Sequence, residues 1–356
     1  MKTIRNLFGL LLVTGITASA LAQEAECTVR KSFPSEKGIY LSISNKFGDI
    51  NIITTENEPI SVCATITIKQ DDKELLQKNI SLIKINIDKT QDTINVQTVF
   101  DEKFFSAFYR KGRSGFSVDY TIYVPSSTNL FINNSFGDIA VDDISGIVNA
   151  KLSQGDFSAS KLSRGNLKPV NTLYFEHGKA DISQADWLSV TARHCPSIEI
   201  GKVKALLMTS EFSKIYAGEI SSLVCDSKYD YYQITSIKNL VAESNSTEFE
   251  IEKLSGQLRA SPSYGTLSIS EVRNDFQLID LNCDHTVVEL STEEGTSYKT
   301  DITVSGTLLD FPFDENPMIS RSRKENTITL TGVAGKNMGT QSLIKVKAAF
   351  GTLEIN

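Results

Sequence analysis

The chain has 356 residues, with 36 basic against 43 acidic side chains, a formal net charge of −7 and 40% hydrophobic content. An acidic chain with no concentrated basic surface excludes phosphate-backbone recognition, so nucleic acid is not an expected partner. Five cysteines at irregular spacing, with no C-x-x-C pair, exclude a disulfide framework.

In chain order, the first element is Met1-Lys2-Thr3-Ile4-Arg5, two positive charges leading into an apolar run from Leu7 to Ile16 that ends at Ala20-Leu21-Ala22. This pattern predicts a secretory signal peptide over residues 1–22. The apolar run is too short to span a bilayer, and no other segment is long enough, so no transmembrane segment is expected in the mature chain. Cys27 does not directly follow the small residues, which argues against lipid anchoring. The expected compartment is the periplasm, the outer-membrane surface or the extracellular space. Loss of Lys2 and Arg5 leaves 34 basic against 43 acidic residues, a net charge near −9.

Residues 23–125 read as a β-rich amino-terminal cap. Strand-like runs are expected at Ile60–Ile68, Leu82–Ile87, Ile94–Phe100 and Phe116–Val124, with a short polar helix at Asp71–Asn79. Pro125 marks the end of this segment, because a proline at a strand end blocks further pairing. Inside it, Phe104, Phe105, Phe108 and Tyr109 stand beside Arg110, Lys111 and Arg113 in an otherwise acidic chain. Ring stacking and charge together make this a candidate binding loop for a glycan, a peptide or a membrane surface. The alternative is that the rings fold back onto the cap while the cations stay solvated.

Residues 126–356 carry a repeat. The element Asn45-Lys46-Phe47-Gly48-Asp49-Ile50-Asn51-Ile52 returns as Asn134-Ser135-Phe136-Gly137-Asp138-Ile139-Ala140-Val141 and again at Phe350-Gly351-Thr352-Leu353-Glu354-Ile355. Weaker copies begin at Gln154, His177, Cys195, Phe212, Tyr229 and Tyr264. With the residue after the aromatic as marker, Gly137, Gly155, Gly178, Pro196, Ser213, Asp230, Thr247 and Gly265 follow one another mostly at 17 or 18 residues. A second series, Val203, Ile220, Ile237, Leu254 and Val272, has the same period. Between the markers apolar residues alternate, which specifies half-buried strands. The expected fold class is all-β: a single-chain β-helix or solenoid whose rungs each hold strand, corner, strand and corner. The glycine after the aromatic fits a tight corner that needs a positive φ or a close backbone approach. The aromatics before it are expected to stack from rung to rung as architecture, with a ligand-binding stripe as the alternative. The stretch from Asp310 to Asn337 breaks the pattern, and Leu343–Lys347 with Thr352–Ile355 reads as a closing hairpin.

The exported start, the F-G-D-I elements at Phe47 and Phe136, the Tyr123-Val124-Pro125 ending and the terminal Phe350–Ile355 element resemble the putative adhesins of Gram-negative bacteria, relatives of autotransporter-adhesin head domains. The resemblance implies a right-handed, two-sheet β-helix with an adhesive role at the cell envelope. A glycan or an envelope protein is the expected kind of ligand. The middle rungs depart from the pattern, since Pro196, Ser213 and Asp230 replace glycine.

No catalytic, cofactor-binding or metal-binding residue is expected. The corner acids Asp49, Asp138 and Asp156 give way to Lys179, Ser197 and Lys214, so no acidic row persists for polysaccharide chemistry. His177, His194 and His285 lie at corners without a fixed third metal ligand. No G-x-S-x-G element or phosphate-cradling glycine loop is present. The expected function is binding without catalysis. A ligand-free structural or signalling role and a polysaccharide-active enzyme are the alternatives.

Overall fold

The computed structural model describes residues 24–56, 58–69, 73–108 and 115–356, so residues 1–22, expected from sequence to be a signal peptide, lie outside the described residues. The described chain is dominated by β-strands, and it divides into two compact units, Met1–Tyr174 and Phe175–Asn356.

The first unit begins with β1 (Glu24–Phe33), β2 (Tyr40–Ser44), β3 (Ile50–Thr54), β4 (Ile60–Lys69) and helix α1 (Lys73–Ile80). It continues with β5 (Ile83–Thr90), β6 (Thr93–Phe100), helix α2 (Lys103–Phe108) and β7 (Gly115–Val124). Then come β8 (Asn129–Ser135), β9 (Ile139–Val141), β10 (Val148–Ser153) and β11 (Phe157–Leu162). All four strands expected before Pro125 and the short helix are present. Strict alternation explains the strands: Ile60, Val62, Ala64, Ile66 and Ile68 are all buried on one face of β4.

Strands β1, β4 and β7 pair antiparallel, and β5 with β6 forms an antiparallel pair. The remaining pairings are parallel. Strand β2 lies between β6 and β8, and β3 lies between β7 and β9. The first copy of the repeat, at residues 45–52, therefore sits inside a stack, with β6 and β7 on one side and β8 and β9 on the other. Strand β7, before Pro125, and β9, after it, pair with the same strand β3. Strands β10 and β11 extend the parallel ladders, with Val148 opposite Leu130 and Phe157 opposite Ile139.

Strand β12 (Asn171–Glu176) spans the division, and the second unit continues with β13 (Lys179–Arg193), β14 (Ser197–Glu211), β15 (Lys214–Lys228), β16 (Tyr231–Asn245) and β17 (Glu248–Ser263). Each of these five pairs in parallel with the next. The aliphatic series predicted from sequence is one register: Val203 opposes Ile220, then Ile237, Leu254 and Val272 follow in turn. In β13 to β17 the second corner of the repeat does not break the strand. Strand β15 runs through Gly218 as one 15-residue strand, because a paired strand can bend at a small residue without losing its ladder.

Beyond these lie β18 (Thr266–Val272), β19 (Leu278–Asp284), β20 (Val287–Thr292), β21 (Tyr298–Ser305) and β22 (Leu308–Asp310). The last four are β23 (Ile319–Lys324), β24 (Thr327–Ala334), β25 (Leu343–Ala349) and β26 (Thr352–Ile355). The closing segment is not a hairpin. Strand β25 lies parallel between β19 and β21, and β26 lies parallel between β20 and β22. Strands β23 and β24 form the excursion expected near Asp310–Asn337, antiparallel to each other and against β21.

The core of the second unit is built from columns. Leu206, Leu223, Leu240, Leu258, Ile279 and Ile344 oppose one another in register, and all are buried. Side-chain volumes compensate along neighbouring columns. Where Tyr232 and Phe249 stack at 4.7 Å, the neighbouring column carries the small residues Cys225, Ala242 and Ala260, which keeps the interior filled at constant strand spacing. The buried Tyr232 hydroxyl bonds to the Ser210 hydroxyl at 2.6 Å, so its polar tip is satisfied.

Candidate functional site

The corners carry the unusual backbone. Phe47, Phe136, Gln154, His177, His194, Phe212, Tyr229, Ser246, Tyr264, His285 and Phe350 all adopt positive φ, between 49° and 65°. Left-handed geometry at a residue with a Cβ costs about 1–2 kcal/mol. Each corner in the second unit recovers part of this by donating its N–H across to the next repeat, as Phe212 does to the Lys228 carbonyl and Tyr229 to that of Asn245. The residue expected to hold the positive φ is thus one place off: the aromatic holds it. The glycine serves the other expected purpose, close approach. A Cβ on Gly137 would lie 2.1 Å from the Gly48 carbonyl oxygen, and one on Gly265 would lie 2.1 Å from that of Thr247.

The φ values also correct the register of one repeat. His194, not Cys195, is the corner residue, and Cys195 holds the glycine position, where Pro196 had been counted.

Two bonding schemes close these corners. In the first unit Asn45 and Asn134 each stand three residues before the glycine and donate to corner carbonyls. Asn134 Nδ2 reaches the Gly48 oxygen at 2.9 Å and the Gly137 oxygen at 3.0 Å. In the second unit the side chain that replaces glycine accepts instead. Ser213 Oγ accepts the Cys195 N–H at 3.1 Å, and Asp230 Oδ1 accepts the Ser213 N–H at 2.7 Å. Asp230 Oδ2 further accepts the Ser227 hydroxyl at 2.6 Å and the Lys228 N–H at 3.1 Å. The non-glycine corners are therefore built differently, through a buried polar network, and are no looser.

The positive φ throws each corner side chain outward, where neighbours stack. His177, His194, Phe212 and Tyr229 form one column with ring centroids 5.0, 5.2 and 4.9 Å apart and planes within 8° of parallel. Tyr264, His285 and Phe350 form another, at 4.9 and 5.0 Å. Phe212, Tyr229, Tyr264 and Phe350 remain 48 to 58% exposed. In the first unit Phe47 and Phe136 stack in the same way at 5.0 Å.

The candidate loop falls in two parts. Phe104 and Phe108 are buried on α2, and Phe105 is half-buried beside them. Phe104 packs against Phe100, Phe105, Phe108 and Phe116 at 4.9 to 5.4 Å. These rings belong to an aromatic cluster of the first unit. Tyr109, Arg110, Lys111 and Arg113 lie outside the described residues. The corner acids have a structural use, since Asp49 Oδ1 accepts the Asp138 N–H and Asp138 Oδ1 the Asp156 N–H, each at 2.8 Å. His285 Nδ1 lies 2.9 Å from Asp284 Oδ1. Among the described residues no group of three or more His, Cys, Asp or Glu side chains is placed to hold a metal ion, and no helix is long and apolar enough to cross a membrane.

No protein-family model matches the chain, and no curated protein matches it. Among solved structures, similarity is found to a putative cell adhesion protein from Clostridium sporogenes, at 11% identity over 94% of this chain and 98% of that one, with a TM-score of 0.18. A putative adhesin from Bacteroides fragilis matches at 13% identity over 75% of this chain and 97% of its own, with a TM-score of 0.22. A putative adhesin from Parabacteroides distasonis matches at 12% identity over 75% and 94%, with a TM-score of 0.26. At such scores these likenesses transfer neither fold nor function.

Cys63, Cys195, Cys225 and Cys283 are free thiols, and the last three are buried. Burial pushes the Cys225 and Cys283 thiols up to about 12. Because the thiolate is the reactive species, brief alkylation of the native protein at pH 8 is expected to label Cys63 and spare Cys195, Cys225 and Cys283. Peptide mass spectrometry before and after unfolding in guanidinium checks this. Equal labelling of the buried thiols in the native state would contradict their placement.

Proposed function

We propose that this chain is an exported, non-catalytic binding protein of the cell envelope, a β-solenoid whose contact surface is the outward column of stacked rings. The observation that carries the reading is the column His177, His194, Phe212 and Tyr229, held parallel by strand register and about half exposed where its rings are phenylalanine and tyrosine. Aligned exposed rings at a fixed spacing offer an apolar, π-faced strip, and exposed apolar strips on folded proteins mark interaction surfaces. The signal-like amino terminus supports export. Parallel register at 17 or 18 residues supports the solenoid. A right hand and kinship with Gram-negative adhesins rest on the resemblance of the F-G-D-I elements alone.

The test is binding of the purified chain to a printed glycan array and to immobilised envelope proteins, beside a variant carrying His194→Ala, Phe212→Ala and Phe350→Ala. Binding that falls at least tenfold in the variant, with an unchanged circular dichroism spectrum, is the expected result. Binding that survives these changes sinks the ring-column reading. Loss on replacing Tyr109, Arg110, Lys111 and Arg113 by serine instead would move the contact to that segment.

A further inference from the structure

The column of rings in the second unit has one missing member. Corner residues follow one another through Tyr229, Ser246 and Tyr264, as the N–H bonds from Tyr229 to the Asn245 carbonyl and from Ser246 to the Ser263 carbonyl show. Ser246 adopts φ 53°, the same left-handed geometry as its ring-bearing neighbours, so its side chain occupies a ring position without filling it. Tyr229 stacks on Phe212 on its far side, within 5° of parallel, and Tyr264 stacks on His285 on its far side, within 18°. Among the described residues, the faces that Tyr229 and Tyr264 turn toward Ser246 carry no ring partner. Two steps of strand spacing separate them, about 10 Å, which leaves room for one ring at about 5 Å from each.

A cleft of about 520 Å³ covers this place and extends past Tyr229 to Phe212. Glu248 brings an anion to it, Ser246 and Thr266 bring hydroxyls, and Lys214 brings a cation from the Phe212 repeat, two ladder steps from Glu248. A ring that fits must therefore have two apolar faces and a polar perimeter. An aromatic side chain of a peptide has the faces but at most one or two polar atoms on its edge, and phenylalanine has none. A pyranose has both: C–H faces to lie on the tyrosines, and hydroxyls around its edge for the lysine, the carboxylate and the hydroxyl groups.

We propose that the gap above Ser246 is a saccharide subsite, in which one pyranose ring of a glycan slots between Tyr229 and Tyr264 and completes the column. The proposal rests on the binding reading above and names the class of ligand.

Titration of the whole chain with soluble hexasaccharides of glucose, N-acetylglucosamine and mannose, followed by tyrosine fluorescence and calorimetry, tests it. At least one is expected to bind. Ser246→Tyr fills the gap with the protein's own ring, so it is expected to weaken that binding more than tenfold while raising Tm. Ser246→Ala leaves the gap open but removes one rim hydroxyl, so it is expected to weaken binding by less than tenfold, short of the loss in Ser246→Tyr. Tyr229→Ala and Tyr264→Ala each remove one face and are expected to weaken binding tenfold. Absence of binding by all three hexasaccharides, or equal binding by wild type and Ser246→Tyr, would overturn the subsite. If hexasaccharide binding persists in Ser246→Tyr but falls on His194→Ala or Phe350→Ala, the subsite fails while the ring column stands. If it persists in every one of these variants, both fail.

Discussion

Gly137→Ala is expected to destabilise the first unit by about 3 kcal/mol, at the upper end of the cost of overpacking. The reason is distance alone: the added Cβ would meet the Gly48 carbonyl oxygen at 2.1 Å and its carbon at 2.5 Å, and both are backbone atoms of a paired corner. No rotamer relieves such a clash. The corner carbonyls would have to separate, and with them the bonds from Asn134 Nδ2 to Gly48 and Gly137. Gly115→Ala is the matched control, because a Cβ there meets nothing within 4 Å and the backbone is extended. Guanidinium denaturation of the two variants beside the parent checks the contrast. A loss below about 0.5 kcal/mol for Gly137→Ala, the usual range of surface substitutions, would show that the corners are not packed backbone to backbone.

Asp230→Ala is expected to cost about 3 kcal/mol, because it strips the acceptor from the Ser213 N–H, the Lys228 N–H and the Ser227 hydroxyl, and an orphaned buried donor costs about 1–3 kcal/mol. The acid also carries a pH signature. Burial lifts its carboxyl above the usual carboxylate range, against the hydrogen bonds from Ser227, Ser213 and Lys228, which pull it down. With the folded pKa above the unfolded one, the native state binds the extra proton between the two. Its contribution to stability is therefore full below about pH 4, the ordinary aspartate value, and is lost as pH rises through the raised pKa. Asp230→Asn cannot titrate. The difference in unfolding free energy between parent and Asp230→Asn, measured from pH 3 to pH 8, is expected to shift against the parent as pH rises. A flat difference would mean that the carboxyl titrates alike folded and unfolded.

The repeat was legible because each unit writes its own strands. Alternation at Leu223 and Cys225, then Tyr232 and Ile234, fixes which side chains face inward, and the Val203 to Val272 series fixes the step. Corner chemistry was legible only where glycine marks it. At Cys195 the template of an aromatic followed by a small residue slid by one, because a buried cysteine after a histidine carries neither cue. The order of stacking at the two ends could not be read at all. Phe47-Gly48-Asp49 resembles Phe136-Gly137-Asp138, and nothing local says that β6 and β7 pack on the first copy's free side. The ring slot was hidden for the converse reason: Ser246 looks like an ordinary polar turn residue until its neighbours are seen to be stacked tyrosines. Sequence left open whether Phe104 and Phe108 project or fold back, because the cluster that covers them draws on Phe47, far away in sequence, as well as on Phe100 and Phe116 of the flanking strands.

The placement of β25 and β26 between strands made earlier sets a timetable for assembly. Residues 278–292 and 298–310 emerge from the ribosome before residues 343–355, yet they touch those later residues as neighbours on either side. Adding strands in order of synthesis cannot complete this end. One edge of β19 and β20 and one of β21 and β22 stay unpaired until residues 343–355 are made, so the last-made residues join this end.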